Sequence, residues 1–89
     1  MRFAVRIQMK INVLFFASCR EAIGMKELAL DLDSGVTIAG IRKKIISQFP
    51  QLAGVSKALH FARNSEYVAE DTPLQDGDEI AILPPVSGG

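Results

Sequence analysis

Apolar residues fall at every second position from Phe3 to Phe15, through Val5, Ile7, Met9, Ile11 and Val13, with mostly polar residues between them. A period of two places all seven on one face of a β-strand, because successive side chains point to opposite sides of the pleat. The chain therefore opens with one strand, or two collinear strand pieces, that must lay a face on a core. Arg2, Arg6 and Lys10, with no acid among residues 2–10, superficially resemble a targeting segment. The strand period argues against that reading, since a secretory leader needs an apolar block and a transit peptide a helical period. At about 3.3 Å per residue the strand would be long for a small domain. Part of residues 1–8 is thus expected to overhang, to pair with another chain or to be poorly ordered. Towards its end "VLFFA" (Val13 to Ala17) is apolar on both faces. One face serves the core, and the other calls for a cover.

A polar turn with Gly24 follows, then "KELALDL" (Lys26 to Leu32), whose leucines alternate as in a half-buried strand. Asp33-Ser34-Gly35 reads as a turn and Thr37 as a helix N-cap. Ile38, Ile41, Ile45 and Phe49 then recur at steps of three and four, an amphipathic helical stripe with Arg42, Lys43 and Lys44 on the other side, and Pro50 stops it. Gly40 inside this helix costs up to about 1 kcal/mol relative to alanine, and a close helix–sheet approach would account for it. "QLAGVSK" reads as a loop. "LHFAR" (Leu59 to Arg63) and "EYVA" (Glu66 to Ala69) read as short strands around an Asn64-Ser65 turn. Thr72-Pro73-Leu74 and Asp76-Gly77-Asp78 are turns, and "EIAIL" (Glu79 to Leu83) is the last strand. Two strands, a helix and three strands imply an α+β fold, the ubiquitin-like β-grasp. Its mixed sheet of four to five strands would pack on one main helix, with the last strand central. The domain is expected to span residues 1–83, with 1–9 as an N-terminal extension and 84–89 as an extended, flexible tail.

With 89 residues, 48% of them apolar, the chain suits one small domain with a true core. Its formal net charge of zero argues against nucleic acid as a partner. A single cysteine, Cys19, and a single histidine, His60, allow no internal disulfide and no plausible zinc or iron–sulfur site. A reducing, intracellular setting follows, and no apolar run nears the roughly 20 residues of a membrane span. Internal catalysis has poor prospects. His60 stands alone on a short strand. Arg20 beside Cys19 would lower the thiol pKa, but no base or second thiol is placed to help, so Cys19 reads as an incidental loop cysteine. Glu66, Glu70 and Asp71 read as a solvated edge, and Gly77 supplies a positive φ in its turn.

The C-terminus "PPVSGG" carries more. Pro84 and Pro85 fix φ and direct the chain away from the domain. Val86, Ser87, Gly88 and Gly89 follow, ending in a carboxylate with nothing bulky around it. Glycine stabilises no fold here, yet it lets a chain end thread a narrow channel and leaves the carbonyl carbon open to attack. A free carboxylate is a poor electrophile, so it needs activation, which ATP can provide by forming an acyl-adenylate. A sulfur or amine nucleophile can then take the acyl group.

"VLFFASCRE" (Val13 to Glu21), "NSEYV" (Asn64 to Val68) and "PLQDGDEIAILPPVSGG" (Pro73 to Gly89), with the helix between them, resemble the small, sulfur-carrying subunits of molybdopterin synthase over roughly residues 10–89. The resemblance implies that Gly89 is adenylated by a relative of ubiquitin-activating enzymes, converted to a thiocarboxylate, and inserted into a large synthase subunit. There its sulfur passes to precursor Z to build the dithiolene of molybdopterin. It implies a cytosolic heterotetramer of two small and two large subunits, no permanently bound cofactor, no metal, and neither membrane nor nucleic acid as partner. Catalytic side chains would belong to the large subunit. Phe16, Tyr67 and Leu83 match the family's apolar docking patch, and Arg20 an arginine near it. Two other uses of the same activated carboxylate stay open: sulfur carriage for thiamin synthesis or tRNA thiolation, and conjugation to lysines as a protein modifier.

Overall fold

The computed structural model describes residues 8–85. The first strand, β1 (Gln8–Phe15), alternates as its sequence requires: Met9, Ile11, Val13 and Phe15 are buried, and the residues between them face outward. The expected continuation of the alternation through residues 1–7, and the N-terminal extension, lie outside the described residues. β1 pairs antiparallel with β2 (Glu27–Asp33), in a register that sets Ile11 opposite Leu30 and Val13 opposite Leu28. On its other side β1 pairs in parallel with β5 (Glu79–Leu83), Val13 opposite Ile80 and Phe15 opposite Ile82. β5 pairs antiparallel with β3 (His60–Arg63), and β3 with the two-residue β4 (Glu66–Tyr67). The order β2-β1-β5-β3-β4 puts the last strand in the middle of a mixed five-stranded sheet. One main helix, α2 (Ile38–Gln48), contributes Ile38, Ile41 and Ile45 to the buried core. This is the ubiquitin-like β-grasp that the element order implies.

Local chemistry explains the ends of these elements. Thr37 caps α2, its Oγ1 accepting from Gly40 N at 3.2 Å. Asn64 and Ser65 both have positive φ, 49° and 73°, as a two-residue hairpin turn that follows the strand twist requires. Asp78 is buried at 6% exposure, and its carboxylate accepts from Asn64 Nδ2 at 3.1 Å and Gln75 N at 2.8 Å, which holds the loop before β5 in shape.

Four readings are corrected. The polar turn with Gly24 is only the end of a short helix, α1 (Ala17–Ile23), which seats Cys19 in the core and ends at Gly24 with φ 84°. Seven residues give too few apolar repeats to announce a helix. "QLAGVSK" belongs to a 3-10 helix (Pro50–Ala58) anchored by buried Leu52. Strand β4 stops at Tyr67, short of Ala69. The space under Gly40 is taken by the Val36 side chain, 2.9 Å from where a Cβ would stand, and not by the sheet.

Arg42 and Glu70 also depart from the solvated faces their sequence neighbours suggest. The Arg42 guanidinium lies over the Phe61 ring at 4.5 Å, donates to the carbonyls of Ser56 and Leu59, and pairs with the Glu70 carboxylate. It thereby ties α2 to the 3-10 helix, to β3 and to the loop after β4. Replacing Arg42 with alanine strands two carbonyls and the ring contact, so a loss of about 2–4 kcal/mol in urea unfolding is expected. Glu70→Gln removes one half-exposed partner and is expected to cost under about 1 kcal/mol.

Candidate functional site

Among the described residues no helix lies over the face of the sheet away from α2. Leu14, Ala81, Ala62 and Tyr67 are register partners in a row across that face, one strand to the next. One step nearer the C-terminal end of β5, Leu83 pairs with His60. The apolar doubling in "VLFFA" therefore has a physical destination: Phe15 enters the core, while Phe16 stays 38% exposed at the head of the uncovered face.

Phe16 is held there by backbone. Its N–H donates to the Ile82 carbonyl at 3.2 Å, which locks it to the strand that carries the tail. Its own carbonyl accepts from Cys19 N at 3.0 Å and Arg20 N at 3.3 Å, opening α1. Between these anchors Ala17 adopts φ 49°, a left-handed conformation that costs an L-residue about 1–2 kcal/mol. A strained alanine persists only where its surroundings over-determine it, and such positions concentrate at functional sites.

Phe16, Ala17 and Ser18 form one wall of a groove of about 480 Å³, and His60, Tyr67, Leu83, Pro84 and Pro85 complete it. Three of the four expected interface residues thus meet in one place, at the root of the tail. Tyr67 is 71% exposed, and its ring meets the His60 ring edge to face at 6.0 Å. Arg20 lies on the other flank of Phe16, in a separate groove with Leu14 and Lys26. Of the tail-threading residues, Pro84 and Pro85 wall the groove, whereas Val86, Ser87, Gly88 and Gly89 lie outside the described residues. Sequence reasoning set His60 aside and overlooked Ser18. The signal for His60 was available, since a strand residue paired with Leu83 must share its face.

Cys19 is no loop residue. It is 2% exposed, and burial pushes its thiol above the ordinary 9.0, the opposite of what the neighbouring Arg20 suggested. Among the described residues no cluster of three His, Cys, Asp or Glu side chains could hold a metal, and no helix is long and apolar enough to cross a membrane. The raised thiol has a sign that can be checked. Above pH 9 the unfolded thiol gives up its proton while the folded one keeps it, so folding stability falls as pH rises past the unfolded value. Wild-type protein is expected to lose urea resistance above about pH 9 more steeply than Cys19→Ala, measured as the slope of stability against pH.

Comparison with known proteins places these features in context. The ThiS family matches residues 13–89. A Chlamydomonas reinhardtii protein named molybdopterin synthase sulfur carrier subunit is 43% identical, the match covering 91% of this chain and 100% of that one. The crystal structure of SAMP1 from Haloferax volcanii is similar with a TM-score of 0.78 at 27% identity, covering 90% of this chain and 99% of that one. A complex of subunits 1 and 2 of the molybdopterin-converting factor from Helicobacter pylori matches with a TM-score of 0.64 at 27% identity, covering 91% of this chain and 100% of that one.

Proposed function

Because the chain belongs to the ThiS family, we propose that it is the sulfur carrier subunit of molybdopterin synthase. The observation that carries this reading is the apolar groove at the root of a Pro-Pro-Val-Ser-Gly-Gly terminus, on a chain 43% identical to a carrier of that name. The C-terminal carboxylate of Gly89 attacks the α-phosphorus of ATP on an activating enzyme, and pyrophosphate leaves. A hydrosulfide equivalent then adds to the acyl carbon and displaces AMP, leaving a thiocarboxylate. The charged tail enters the large synthase subunit, which supplies the catalytic side chains, and its sulfur goes to precursor Z. Water then cleaves the acyl–sulfur bond, which leaves the sulfur on the acceptor and restores the Gly89 carboxylate for another cycle. The Helicobacter pylori complex of two converting-factor subunits supports a large-subunit partner. Two small and two large subunits would form the assembly, in the reducing cytosol where a free Cys19 thiol is at home.

This chain's contribution is mechanical as well as chemical. β5 is hydrogen-bonded on both sides, so the arm that begins at Pro84 leaves from a fixed point. Pro84 and Pro85 restrict where it can go. Val86, Ser87, Gly88 and Gly89 are small enough to follow a channel lined by the partner. The likeness to SAMP1, by its name an archaeal modifier, favours one second reading: conjugation of the same activated carboxylate to lysine amines.

Intact-mass analysis after incubation with the activating enzyme, ATP and a sulfur source separates these outcomes. A gain equal to the exchange of one oxygen for sulfur, localised to Gly89, is expected. Isopeptide-linked products without that gain would favour the modifier. Deleting Gly89 is expected to abolish the gain and leave the urea midpoint unchanged. A large fall in the midpoint would show the tail to be structural instead.

A further inference from the structure

In the order β2-β1-β5-β3-β4, β2 stands at one edge, and among the described residues only β1 flanks it. Along β1 the amides of Lys10 and Asn12 turn away from β2, donating to Asp76 Oδ1 and to the Asp78 carbonyl, whereas Phe15 N donates to the Lys26 carbonyl on the β2 side. Main-chain direction alternates along a strand, so Met9, Ile11 and Val13 bond β2, and their register partners Leu32, Leu30 and Leu28 bond β1. The N–H and C=O groups of Glu27, Ala29 and Asp31 then point outward from the sheet, a template for another strand. Proteins usually blunt such an edge with lysine, proline or a bulge. β2 has none of these: its residues, ELALDLD, keep an unbroken register with β1, and every charge on it is acidic.

Those acids select against one occupant and for another. Centred on Ala29, β2 pairing with the β2 of a second copy would set Glu27 opposite Asp31, so the edge repels itself. Residues 2–7 carry the opposite pattern: Arg2 and Arg6, spaced as Glu27 and Asp31 are, no acid, and Phe3, Val5 and Ile7 in alternation with them. Laid antiparallel on the β2 edge with Ala4 opposite Ala29, this segment sets Arg2 opposite Asp31 and Arg6 opposite Glu27. The same register puts Phe3 beside Leu30 and Val5 beside Leu28, on the side of the sheet that α2 covers. Next to that edge a groove of about 360 Å³, lined by Leu32, Val36 and Gly40 among others, gives apolar side chains room. Glu27 and Asp31 already meet Asn12 Nδ2 at 3.4 Å and Lys10 Nζ at 3.6 Å, but both acids are exposed and their carboxylates can accept again.

We propose that residues 2–6 of one copy of this chain add as a further strand to the β2 edge of a second copy. A chain cannot supply the segment to its own edge. Gln8 is held opposite Asp33, and two residues of chain reach about 7 Å. Bringing Arg6 to the outer side of β2 takes two strand spacings, about 9.5 Å. The pairing stands apart from the sulfur carrier reading and is compatible with it, because β2 lies at the opposite edge of the sheet from β4, and His60 and Tyr67 stay uncovered.

Sedimentation of the full chain across about a hundredfold range of concentration tests this. Wild type is expected to self-associate as concentration rises, and less so at high salt. Arg2→Glu/Arg6→Glu and Glu27→Arg/Asp31→Arg are each expected to lose roughly tenfold or more in self-affinity. Their equimolar mixture is expected to regain it, since each then meets an edge of opposite charge. In wild type, hydrogen exchange at the Glu27, Ala29 and Asp31 amides is expected to slow as the copies associate. A wild type that stays monomeric throughout overturns the proposal, as does association that Arg2→Glu/Arg6→Glu leaves unchanged. A mixture no tighter than its components overturns the pairing of these charges. Association without slower exchange at the three amides also overturns it, and places the contact on another surface.

Discussion

The parallel pairing of β1 with β5 joins residues from opposite ends of the chain, and the site exists only because of it. At its lower end the Lys10 amide donates to Asp76 Oδ1 at 2.7 Å across 66 residues of sequence, and Gly77 N returns a bond to the Lys10 carbonyl at 2.8 Å. At its upper end Phe16 N–H meets the Ile82 carbonyl. Contacts this distant in sequence close a long loop, and the entropy lost in closing it must be offset by the other contacts of the fold. One pairing thereby buries Val13, Phe15, Ile80 and Ile82 against α2, and sets Phe16 beside the strand from which the tail departs.

That arrangement separates two tasks. The helix side of the sheet carries the buried apolar surface, with Phe15 edge-to-face on Phe49 at 5.7 Å and Ile38, Ile41 and Ile45 of α2 fully enclosed. The open side carries exposed apolar groups that add little to stability, because they remain in contact with water. Phe16 and Tyr67 are of this second kind, as is the left-handed Ala17 that holds Phe16 in place. A chain selected for stability alone would place smaller or polar residues there. These exposed groups stand beside the strand from which a glycine-terminated arm departs.

Much of this was legible in the sequence because period and parity are strong signals. The β1 alternation, the isoleucine stripe of α2 and the Asn64-Ser65 turn all appear as their residues require. The apolar doubling from Val13 to Ala17 likewise calls for a cover on its second face, and Phe16 lies exposed there. The short elements were not legible. In α1, only Cys19 and Ile23 point inward, too few to establish a helical period, so a buried thiol passed for a loop cysteine. The 3-10 helix hides behind Gly54 and Ser56, residues that ordinarily mark loops. Arg42 sits among lysines on an apparently solvated face, yet its fork of donors finds two carbonyls and an aromatic ring that only the tertiary fold brings near. His60 stands alone in the sequence, and only the pairing of β3 with β5 sets it opposite Leu83 at the root of the tail.

The central claim is that partners grip the open face at the root of the arm, while α2 and its exposed Lys43 and Lys44 take no part. Amide chemical-shift mapping of the isotope-labelled chain, titrated with the large synthase subunit, tests it directly. The account predicts that perturbations concentrate at Phe16 to Ser18, His60, Tyr67 and Leu83, and continue into the tail. Perturbations confined to the tail, or centred on the outer face of α2 with Phe16 and Leu83 unmoved, would contradict it.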